Sequence, residues 1–529
     1  MSMWPRARKS LSMLALVGIM SSTLAGCGGN ATATVGTGST GNATSVATTG
    51  TGTGATDTGT ATTGTGAGTT GTTPTDTGMM GTATTGTGAG TTGSGTATTG
   101  TGGATGTGTT TSGSSGGTSA GFTSGGPVAL PGNCANTAIS YWTPLSGPDG
   151  QAMTALTDGF NKANPGAKVN ITTGSFTDYI TQLGTAAASN TLPDIAIINE
   201  DQVATQAFRN VLRPIPDAAM TQIGVTKADY PAVAWGAGTV AGKQYAIPLS
   251  FVALTMYYNA DLLKAAGMAA PPTDKASFEA AAKAMTAGGK NGFLLTTGFP
   301  VQQVFQTLLH QYGGTEFSAD GSKATWNSDA GVQALTWMLQ ASNNYGQKNL
   351  EVDADLNAFK AGTAGMIWNG IWQLSSLTGS AVGFSGKAAP VPQIGTQPAV
   401  WAGGPLMTFT YTKSPNACKD TVGAMFYKYL IDHSLEWAKG GNIPANNKAR
   451  DTTEFKAMPQ APMGPSVANP VFPPAIPGIG DAFAPLGTQV GAVLAGTQTD
   501  IKKALDTAAD QANTILTQNK KTYGDAPKP

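Results

Sequence analysis

Ionisable and metal-binding side chains are scarce in this 529-residue chain. It contains three cysteines and two histidines, and Lys plus Arg balance Asp plus Glu at 29 each. The two histidines, His310 and His433, lie on helical patterns without companion ligands, so the sequence offers neither a zinc site nor a histidine-based catalytic triad. No basic run or stripe is present, which argues against a nucleic-acid partner.

Long apolar runs are also lacking. The run from Leu11 to Met20 has about ten residues, against the roughly 20 that a membrane-spanning helix needs. It follows three basic residues and leads through small residues into Leu24-Ala25-Gly26-Cys27. This layout is typical of a secretory signal peptide over residues 1–26, and it resembles a bacterial lipoprotein box in which Cys27 is acylated. We therefore expect an extracytoplasmic lipoprotein, held at the membrane by its lipid alone, with ordinary cleavage before Cys27 as the alternative.

A change of composition near residue 130 divides the chain. Residues 27–130 repeat Thr-Gly-Thr and Ala-Thr-Thr-Gly units, with Asp57 and Asp76 as their only charges. Such a segment buries too little apolar surface to offset its ordering entropy, so it is predicted to be a disordered tether. A Thr-rich stalk that carries O-glycans is a compatible interpretation.

The residues after the tether carry the pattern of an α/β protein. About 400 of them remain, more than one core usually supports, which predicts two lobes. Strand patterns at 138–142, 169–171 and 195–198 alternate with helical apolar stripes at 153–160 and 176–183. This βαβαβ order implies a parallel sheet with right-handed crossovers.

Two of these strands end in residues suited to ligand contacts. Ligands of such sheets bind beyond the carboxyl ends of the strands, so Trp142 after the first strand and Glu200 and Asp201 after the third should face one crevice. The two carboxylates could accept hydrogen bonds from ligand hydroxyls or form a solvated loop. A glycosidase pair is disfavoured, because neighbours on an extended chain point to opposite sides. We expect no enzymatic activity, no cofactor and no metal.

Five segments in series carry a further resemblance. They are Phe160 to Val169, Pro193-Asp194-Ile195, Tyr245 to Leu249, Tyr257 to Thr273, and Ala358 to Trp372. In order and approximate spacing they resemble the extracellular solute-binding proteins of ATP-driven importers, specifically the maltose-binding-protein-like group known as family 1. No single segment is specific, but the series extends from residue 137 to about 450.

The resemblance implies a two-lobed periplasmic-binding-protein fold of type II, each lobe being a central sheet flanked by helices. Lobe I would comprise residues 131–250 and 402–450, and lobe II residues 251–401 and 451–529. The implied function is capture of a solute in the cleft, closure about a hinge, and delivery to a membrane permease driven by a separate ATPase. The protein is expected to be a monomer that draws energy from these partners.

Aromatic side chains at loops and strand ends favour a carbohydrate as the solute, since flat rings suit the apolar faces of sugars. The candidate ligand contacts are Trp142, Glu200, Asp201, Trp235, Phe299, Gln302, Trp368, Trp372, Trp401 and Gly403. The resemblance singles out Trp372, which stands where the group has a sugar-stacking Trp after Asn-Gly-Pro; here Ile371 replaces the Pro. Each Trp could instead pack in a core.

Other readings of the function stay open. Within the solute-binding class the cargo could be a polyamine, a peptide or a metal chelate, and a surface adhesive lipoprotein is a further alternative. Cys134 and Cys418 are the two cysteines left once Cys27 is assigned to lipid. They form one possible disulfide in an oxidising compartment, but the sequence does not decide whether they meet.

Overall fold

The computed structural model describes residues 129–175, 178–467, 472–524 and 527. The signal peptide, Cys27, Phe176 and all but the last two residues of the predicted tether lie outside them. Within the described ranges, no helix combines the length and the apolar character needed to cross a membrane.

Strands and helices alternate along most of the described chain. The strands are β1 (Thr137–Thr143), β2 (Ala167–Thr173), β3 (Ile195–Asn199), β4 (Leu212–Arg213), β5 (Thr239–Val240), β6 (Lys243–Gln244), β7 (Ala246–Pro248), β8 (Ser250–Asn259), β9 (Asn291–Leu294), β10 (Ala364–Gly370), β11 (Gly386–Pro390), β12 (Ala402–Gly403), β13 (Pro405–Thr410) and β14 (Ile443–Pro444). The α-helices are α1 (Pro148–Ala163), α2 (Tyr179–Ser189), α3 (Glu200–Phe208), α4 (Asp217–Ile223), α5 (Ala232–Ala237), α6 (Ala260–Ala265), α7 (Lys275–Met285), α8 (Val301–Gln311), α9 (Asp329–Tyr345), α10 (Ala354–Lys360), α11 (Leu374–Leu377), α12 (Ala417–Asp432), α13 (Ser434–Ala438), α14 (Asn447–Arg450), α15 (Thr453–Lys456), α16 (Ile479–Ala482), α17 (Ala484–Leu494) and α18 (Ile501–Tyr523). Short 3₁₀ helices occur at Gly132–Cys134, Lys227–Asp229, Ile371–Gln373, Gly379–Ala381 and Ala461–Val467.

The sheet of lobe I has the order β2-β1-β3-β13-β4, with β7 also paired to β13. Strand β1 pairs in parallel with both β2 and β3, which confirms the predicted βαβαβ unit. Strand β13 comes from far along the chain and pairs antiparallel with β3. Because β3 lies between two strands with helices on both faces, the side chains of Ile195 to Ile198 are fully buried.

Helix α1 shows why the first lobe folds as the sequence indicates. It begins with Pro148 at its first turn, where the missing N–H is no loss, and it ends before Pro165. One face buries Met153, Leu156 and Phe160. The Phe160 ring meets Phe426 of α12 edge-on, with ring centroids 5.3 Å apart, so the two helices pack through this aromatic contact.

Strand β8 pairs only within the second six-stranded sheet, but its first residues, Phe251 and Ala253, are buried in the apolar cluster of lobe I. Its first residues pair with β14 and β12, while the residues from Leu254 onward pair with β10 and β11. The sheet of lobe II has the order β11-β8-β10-β9. This ten-residue strand is therefore one of the chain segments that connect the two lobes.

The chain beyond residue 450 is divided between the lobes. Phe455 and Met463 are buried in the same apolar cluster as Ile139 and Trp437 of lobe I, which corrects the predicted lobe II boundary at residue 451. Helices α17 and α18 instead pack against α8 and α9 of lobe II. The boundary was misplaced because α15 packs against α13 and α14 of lobe I, and no sequence pattern marks this contact.

Cys134 and Cys418 form a disulfide that closes a sequence separation of 284 residues. Cys134 ends the 3₁₀ helix just before β1, and Cys418 lies in the first turn of α12. The bond therefore fastens the beginning of lobe I to the helix that covers its sheet.

Candidate functional site

Helix α3 brings two carboxylates to the carboxyl end of β3. Glu200 and Asp201 are its first two residues, so they open a helix and not the extended segment or loop that the sequence predicted. The Glu200 carboxylate accepts a hydrogen bond from the Gly404 N–H at 2.7 Å, and the Glu200 N–H donates to the Gly404 carbonyl at 3.2 Å. A Cβ atom at Gly403 would overlap the Glu200 carboxylate, so this close approach requires glycine.

The two carboxylates lie in a negative environment. Burial raises the pKa of Glu200 well above its usual value, and repulsion from Asp201 adds to the rise. Burial also raises the pKa of Asp201, assisted by repulsion from Asp481. Among the described residues the ion pairs engage other carboxylates, including Asp481 with Arg209. No cationic side chain among the described residues pairs with Glu200 or Asp201, and their raised pKa values favour the protonated carboxyl group, which can both accept and donate hydrogen bonds.

We expect Glu200→Gln to raise the melting temperature at pH 8 by roughly 3 °C and to leave it nearly unchanged at pH 4.5. A carboxyl group whose pKa is raised in the folded state destabilises that state once it ionises. The free energy of unfolding therefore falls as pH rises from the usual Glu pKa of about 4.3 towards the raised value. Thermal unfolding at several pH values, with exposed Glu454→Gln as the control, checks this, and a pH-independent difference would contradict it.

Trp372 lies in an aromatic cluster at the edge of the lobe II sheet. Strands β9 and β10 are parallel neighbours, so their carboxyl ends meet at one edge, and the segments after them carry Phe299 and Trp372. These two rings stack with centroids 5.6 Å apart and planes 23° apart. Trp401 approaches Trp372 edge-on, with centroids 6.4 Å apart. All three side chains are half-buried, which leaves aromatic surface available to a ligand.

The segment from Trp401 to Gly404 joins this cluster to the carboxylates. The Trp401 N–H donates to Thr307 Oγ1 of α8 at 2.9 Å, which ties it to lobe II. Two residues later Gly403 lies against Glu200 at the end of the lobe I sheet. The structure therefore brings Glu200, Gly403, Trp401, Trp372 and Phe299 together along the boundary between the lobes.

A cavity of about 230 Å³ opens beside Glu200. The rest of its lining is apolar and comes from α3, α5 and the segment before α16: Ala204, Val233, Gly236, Ala237, Phe472, Pro473, Pro474, Ala475 and Ile479. A carboxylate set in an apolar wall suits a ligand that has both hydroxyl groups and an apolar face. Sequence reasoning did not find Phe472 or Val233, because neither carries a motif that marks it.

A larger cavity, of about 410 Å³, lies at the opposite end of the lobe I sheet. Four of its five charged residues form pairs, the exception being Lys413: Lys419 Nζ lies 2.9 Å from Asp194, and Arg213 pairs with Asp420. It is also remote from the carboxyl end of β3, since Asp194 immediately precedes that strand. We therefore take the smaller cavity and the aromatic cluster as the candidate ligand site.

Trp368 is a core residue, and its prediction as a ligand contact is wrong. It lies within β10 and is 1% exposed. Its ring stacks on Trp337 with centroids 5.6 Å apart and packs against Phe278 and Phe293. The strand directs residue 368 towards the helices that cover the sheet, whereas residue 372 lies beyond the strand end.

Two other predicted ligand contacts, Trp142 and Trp235, lie in lobe I and have other neighbours than the Trp372 cluster. Trp142 lies in β1, and its carbonyl accepts a hydrogen bond from the Tyr179 hydroxyl at 2.9 Å. Trp235 lies on α5 beside Tyr230, with ring centroids 5.5 Å apart. Both tryptophans are half-buried on lobe I. Among the described residues, neither tryptophan has a ring contact with the Trp372 cluster.

Gln302 lies in the first turn of α8, three residues after Phe299. Its Nε2 donates to Gln306 Oε1 at 3.3 Å, and Gln306 Nε2 donates to Glu316 Oε1 at 3.2 Å. Glu316 also pairs with His310 at 2.7 Å. Gln302 is half-buried at the edge of the site, at the outer end of this polar chain.

A family model described as bacterial extracellular solute-binding protein matches residues 144–434. The chain belongs to this family. Its maltose-binding-like character, predicted from the sequence, is confirmed by the relatives that follow.

Some curated relatives of this solute-binding protein carry carbohydrate names, and others are named only as binding proteins. The maltodextrin-binding protein of Bacillus subtilis is 28% identical over 228 residues, which cover 40% of this chain and 52% of that protein. The maltooligosaccharide ABC transporter solute-binding lipoprotein of Streptococcus pneumoniae is 26% identical over 310 residues, which cover 55% of this chain and 69% of that protein. The chain thus spans about half the length of the first of these relatives.

Solved structures confirm the two-lobed fold. An ABC substrate-binding protein from Listeria monocytogenes in complex with cycloalternan matches with a TM-score of 0.63 and 24% identity, covering 72% of this chain and 99% of that chain. The cyclic alpha-maltosyl-1,6-maltose binding protein from Arthrobacter globiformis matches with a TM-score of 0.58 and 24% identity, covering 74% and 100%. Family and fold are those of substrate-binding proteins.

Proposed function

We propose that this protein captures a carbohydrate between its lobes and delivers it to an ABC importer. The observation that carries the proposal is the half-buried stack of Phe299 and Trp372, with Trp401 at its edge, beside the acceptor carboxylate of Glu200. A sugar ring needs an apolar platform for its face and hydrogen-bond acceptors for its hydroxyls. The maltodextrin and maltooligosaccharide names of the relatives support the same choice.

Binding and closure follow from this geometry. The sugar face rests on Trp372, and its hydroxyls donate to Glu200 and Asp201 from lobe I. Because the two groups of contacts belong to different lobes, the ligand gains its full set only when the lobes approach each other, which favours the closed state. A sugar that lacks a hydroxyl at this position would leave a buried carboxyl oxygen without a hydrogen-bond partner. The protein should therefore bind such a sugar more weakly than one that has the hydroxyl.

Transport partners supply the energy. The chain carries no nucleotide-binding motif after residue 130, so the closed, loaded protein docks on a permease that a separate ATPase drives. In this scheme the protein acts as a monomer and leaves the bound sugar chemically unchanged. Incubation with labelled oligosaccharides should release no shortened product.

We further propose that the mature protein is held at the membrane through a lipid on Cys27. The Leu24-Ala25-Gly26-Cys27 sequence supports this, as does the lipoprotein name of the pneumococcal relative. We expect the wild-type protein to partition into the detergent phase and Cys27→Ser to stay in the aqueous phase. Equal partitioning of the two would overturn the anchor but not the binding function.

A ligand panel tests the central proposal. Isothermal titration and thermal unfolding would be run with mono- and oligosaccharides, including maltose, maltotriose and cyclic glucans, beside a polyamine, a peptide mixture and metal chelates. A true ligand at 100 times its dissociation constant stabilises the protein by about 2.7 kcal/mol. Binding of only polyamines, peptides or chelates would show that the solute is not a carbohydrate. If no compound in the panel binds, the surface adhesive alternative is favoured.

A further inference from the structure

We propose that Asp355 is a positioning residue for the candidate ligand site: acting through Asn369, it sets the turn that presents Trp372. The significance of this inference rests on the proposed function. The contacts that carry it belong to the protein itself and are testable without a ligand.

Asp355 is a carboxylate in an unfavourable place. It lies in the first turn of α10 and is 1% exposed. One of its oxygens, Oδ2, lies 3.4 Å from Asn369 Nδ2, whereas Oδ1 has no hydrogen-bond partner among the described residues. A buried carboxylate that is only partly satisfied destabilises a fold. A residue of this kind calls for a role other than packing.

The carboxylate fixes the orientation of the Asn369 amide. An ionised Asp only accepts hydrogen bonds, whereas an Asn amide both donates and accepts. Asn369 therefore turns its Nδ2 to Asp355, which directs its Oδ1 towards the main chain. That oxygen accepts a hydrogen bond from the Gly370 N–H at 2.8 Å.

Gly370 is held on both sides and lies under the Trp372 ring. Its carbonyl accepts a hydrogen bond from the Tyr257 hydroxyl at 2.9 Å, so its N–H and its C=O are both engaged. A Cβ atom at residue 370 would overlap the six-membered part of the Trp372 indole. The orientation of this peptide therefore determines where the indole lies, and through it the stack with Phe299.

The residues just before Asp355 hold the other ring of the stack. The Leu350 carbonyl accepts a hydrogen bond from the Thr297 N–H at 2.8 Å, and the Glu351 carbonyl accepts one from Thr296 Oγ1 at 3.0 Å. Thr296 and Thr297 lead directly to Phe299. The segment 350–355 thus supports both rings of the stack: its carbonyl groups hold the residues before Phe299, and Asp355 contacts Asn369, three residues before Trp372.

The charge state of Asp355 links this support to pH. Burial raises its pKa to about 6, and repulsion from the exposed Asp353 acts in the same direction. The other titratable group at this turn is the Tyr257 hydroxyl, whose pKa burial raises, so it stays neutral. Ionisation strengthens the acceptor at Asn369 but lowers the free energy of unfolding as pH rises from the usual Asp pKa to about 6. As pH rises towards about 6, the Asp355–Asn369 contact therefore becomes stronger while the free energy of unfolding falls.

Three substitutions separate positioning from packing. Asp355→Val removes the acceptor and the buried charge, Asp355→Asn keeps an acceptor oxygen without the charge, and Asp353→Asn is the exposed neighbouring control. We expect Asp355→Val to weaken maltotriose binding about tenfold without lowering the melting temperature at pH 8. Asp355→Asn should bind within about threefold of wild type and lose the wild-type change in affinity between pH 5 and 7.5. Asp355→Val that binds maltotriose as tightly as wild type would overturn the proposal.

A ligand-free measurement keeps this test independent of the sugar. In protein labelled with 5-fluorotryptophan, the ¹⁹F resonance of residue 372 is assigned by its loss in Trp372→Phe. It should shift with a midpoint near pH 6 in wild type and stay constant in Asp355→Asn. A constant resonance in wild type overturns the inference even if maltotriose binds. A shift without maltotriose binding upholds the positioning role while counting against the proposed ligand.

Discussion

Replacing Trp372 by alanine should weaken carbohydrate binding by about 30- to 100-fold. The indole combines the apolar platform for a sugar ring with the stack on Phe299, and its loss removes about 2–3 kcal/mol of burial and ring contact. The side chain is half-buried at the lobe boundary, so the fold should survive its removal. Titration of wild type and variant with the sugar that binds wild type most tightly gives the ratio directly.

The Trp372 prediction has two matched controls. Trp372→Phe keeps a flat ring and should retain part of the affinity. Tyr411→Ala removes an exposed aromatic residue at the far end of lobe I and should bind as wild type. If Trp372→Ala and Tyr411→Ala bind equally well, the aromatic cluster is not the sugar platform.

Removing the disulfide should cost about 5 kcal/mol of stability. Chain-entropy arguments give this figure for a cross-link that spans 284 residues, and in a folded part of about 400 residues it corresponds to a fall in melting temperature of roughly 6 °C. The double variant Cys134→Ser with Cys418→Ser, measured by thermal unfolding beside the two single variants, tests it. The three variants should be alike, because one missing sulfur already breaks the bond.

The disulfide variants should nevertheless bind their ligand normally. The bond lies beside the cavity around Asp194, at the end of the lobe I sheet opposite Glu200. It holds the segment before β1, where the Thr137 hydroxyl donates to the Cys134 carbonyl at 2.7 Å. A normal melting temperature in the double variant would show that packing around α12 holds this segment without the bond. A loss of affinity would instead connect it to the ligand site.

Local pattern was enough to predict much of lobe I. Apolar spacing in helix α1 and the continuous apolar run of β3 depend on near neighbours in sequence, so their periods indicate their structure directly. The family motifs extended this to the two-lobed fold. Gly403 was predicted as a ligand contact, and the structure places it against the Glu200 carboxyl group.

The choice among aromatic residues needed the tertiary structure. Trp368 and Trp372 stand four residues apart in the same motif, yet one packs against Trp337 and the other stacks on Phe299 beside the lobe boundary. Sequence spacing could not separate them, because burial depends on which helix covers each face of β10. The role of Asp355 was hidden for the same reason, since its partner Asn369 lies on another element.

By itself, then, the sequence determined the α/β class, the family and the set of side chains from which a site could be made, whereas the export layout that it predicts lies outside the described residues. The tertiary structure decided which of them meet: β13 returning beside β3, Phe455 entering the lobe I core, and Trp401 to Gly404 joining Trp372 to Glu200. The physical reason is that periodicity reports contacts within one turn or one strand. A cleft is made of residues that can be more than 200 positions apart, as Glu200 and Gly404 are, and only packing brings those together.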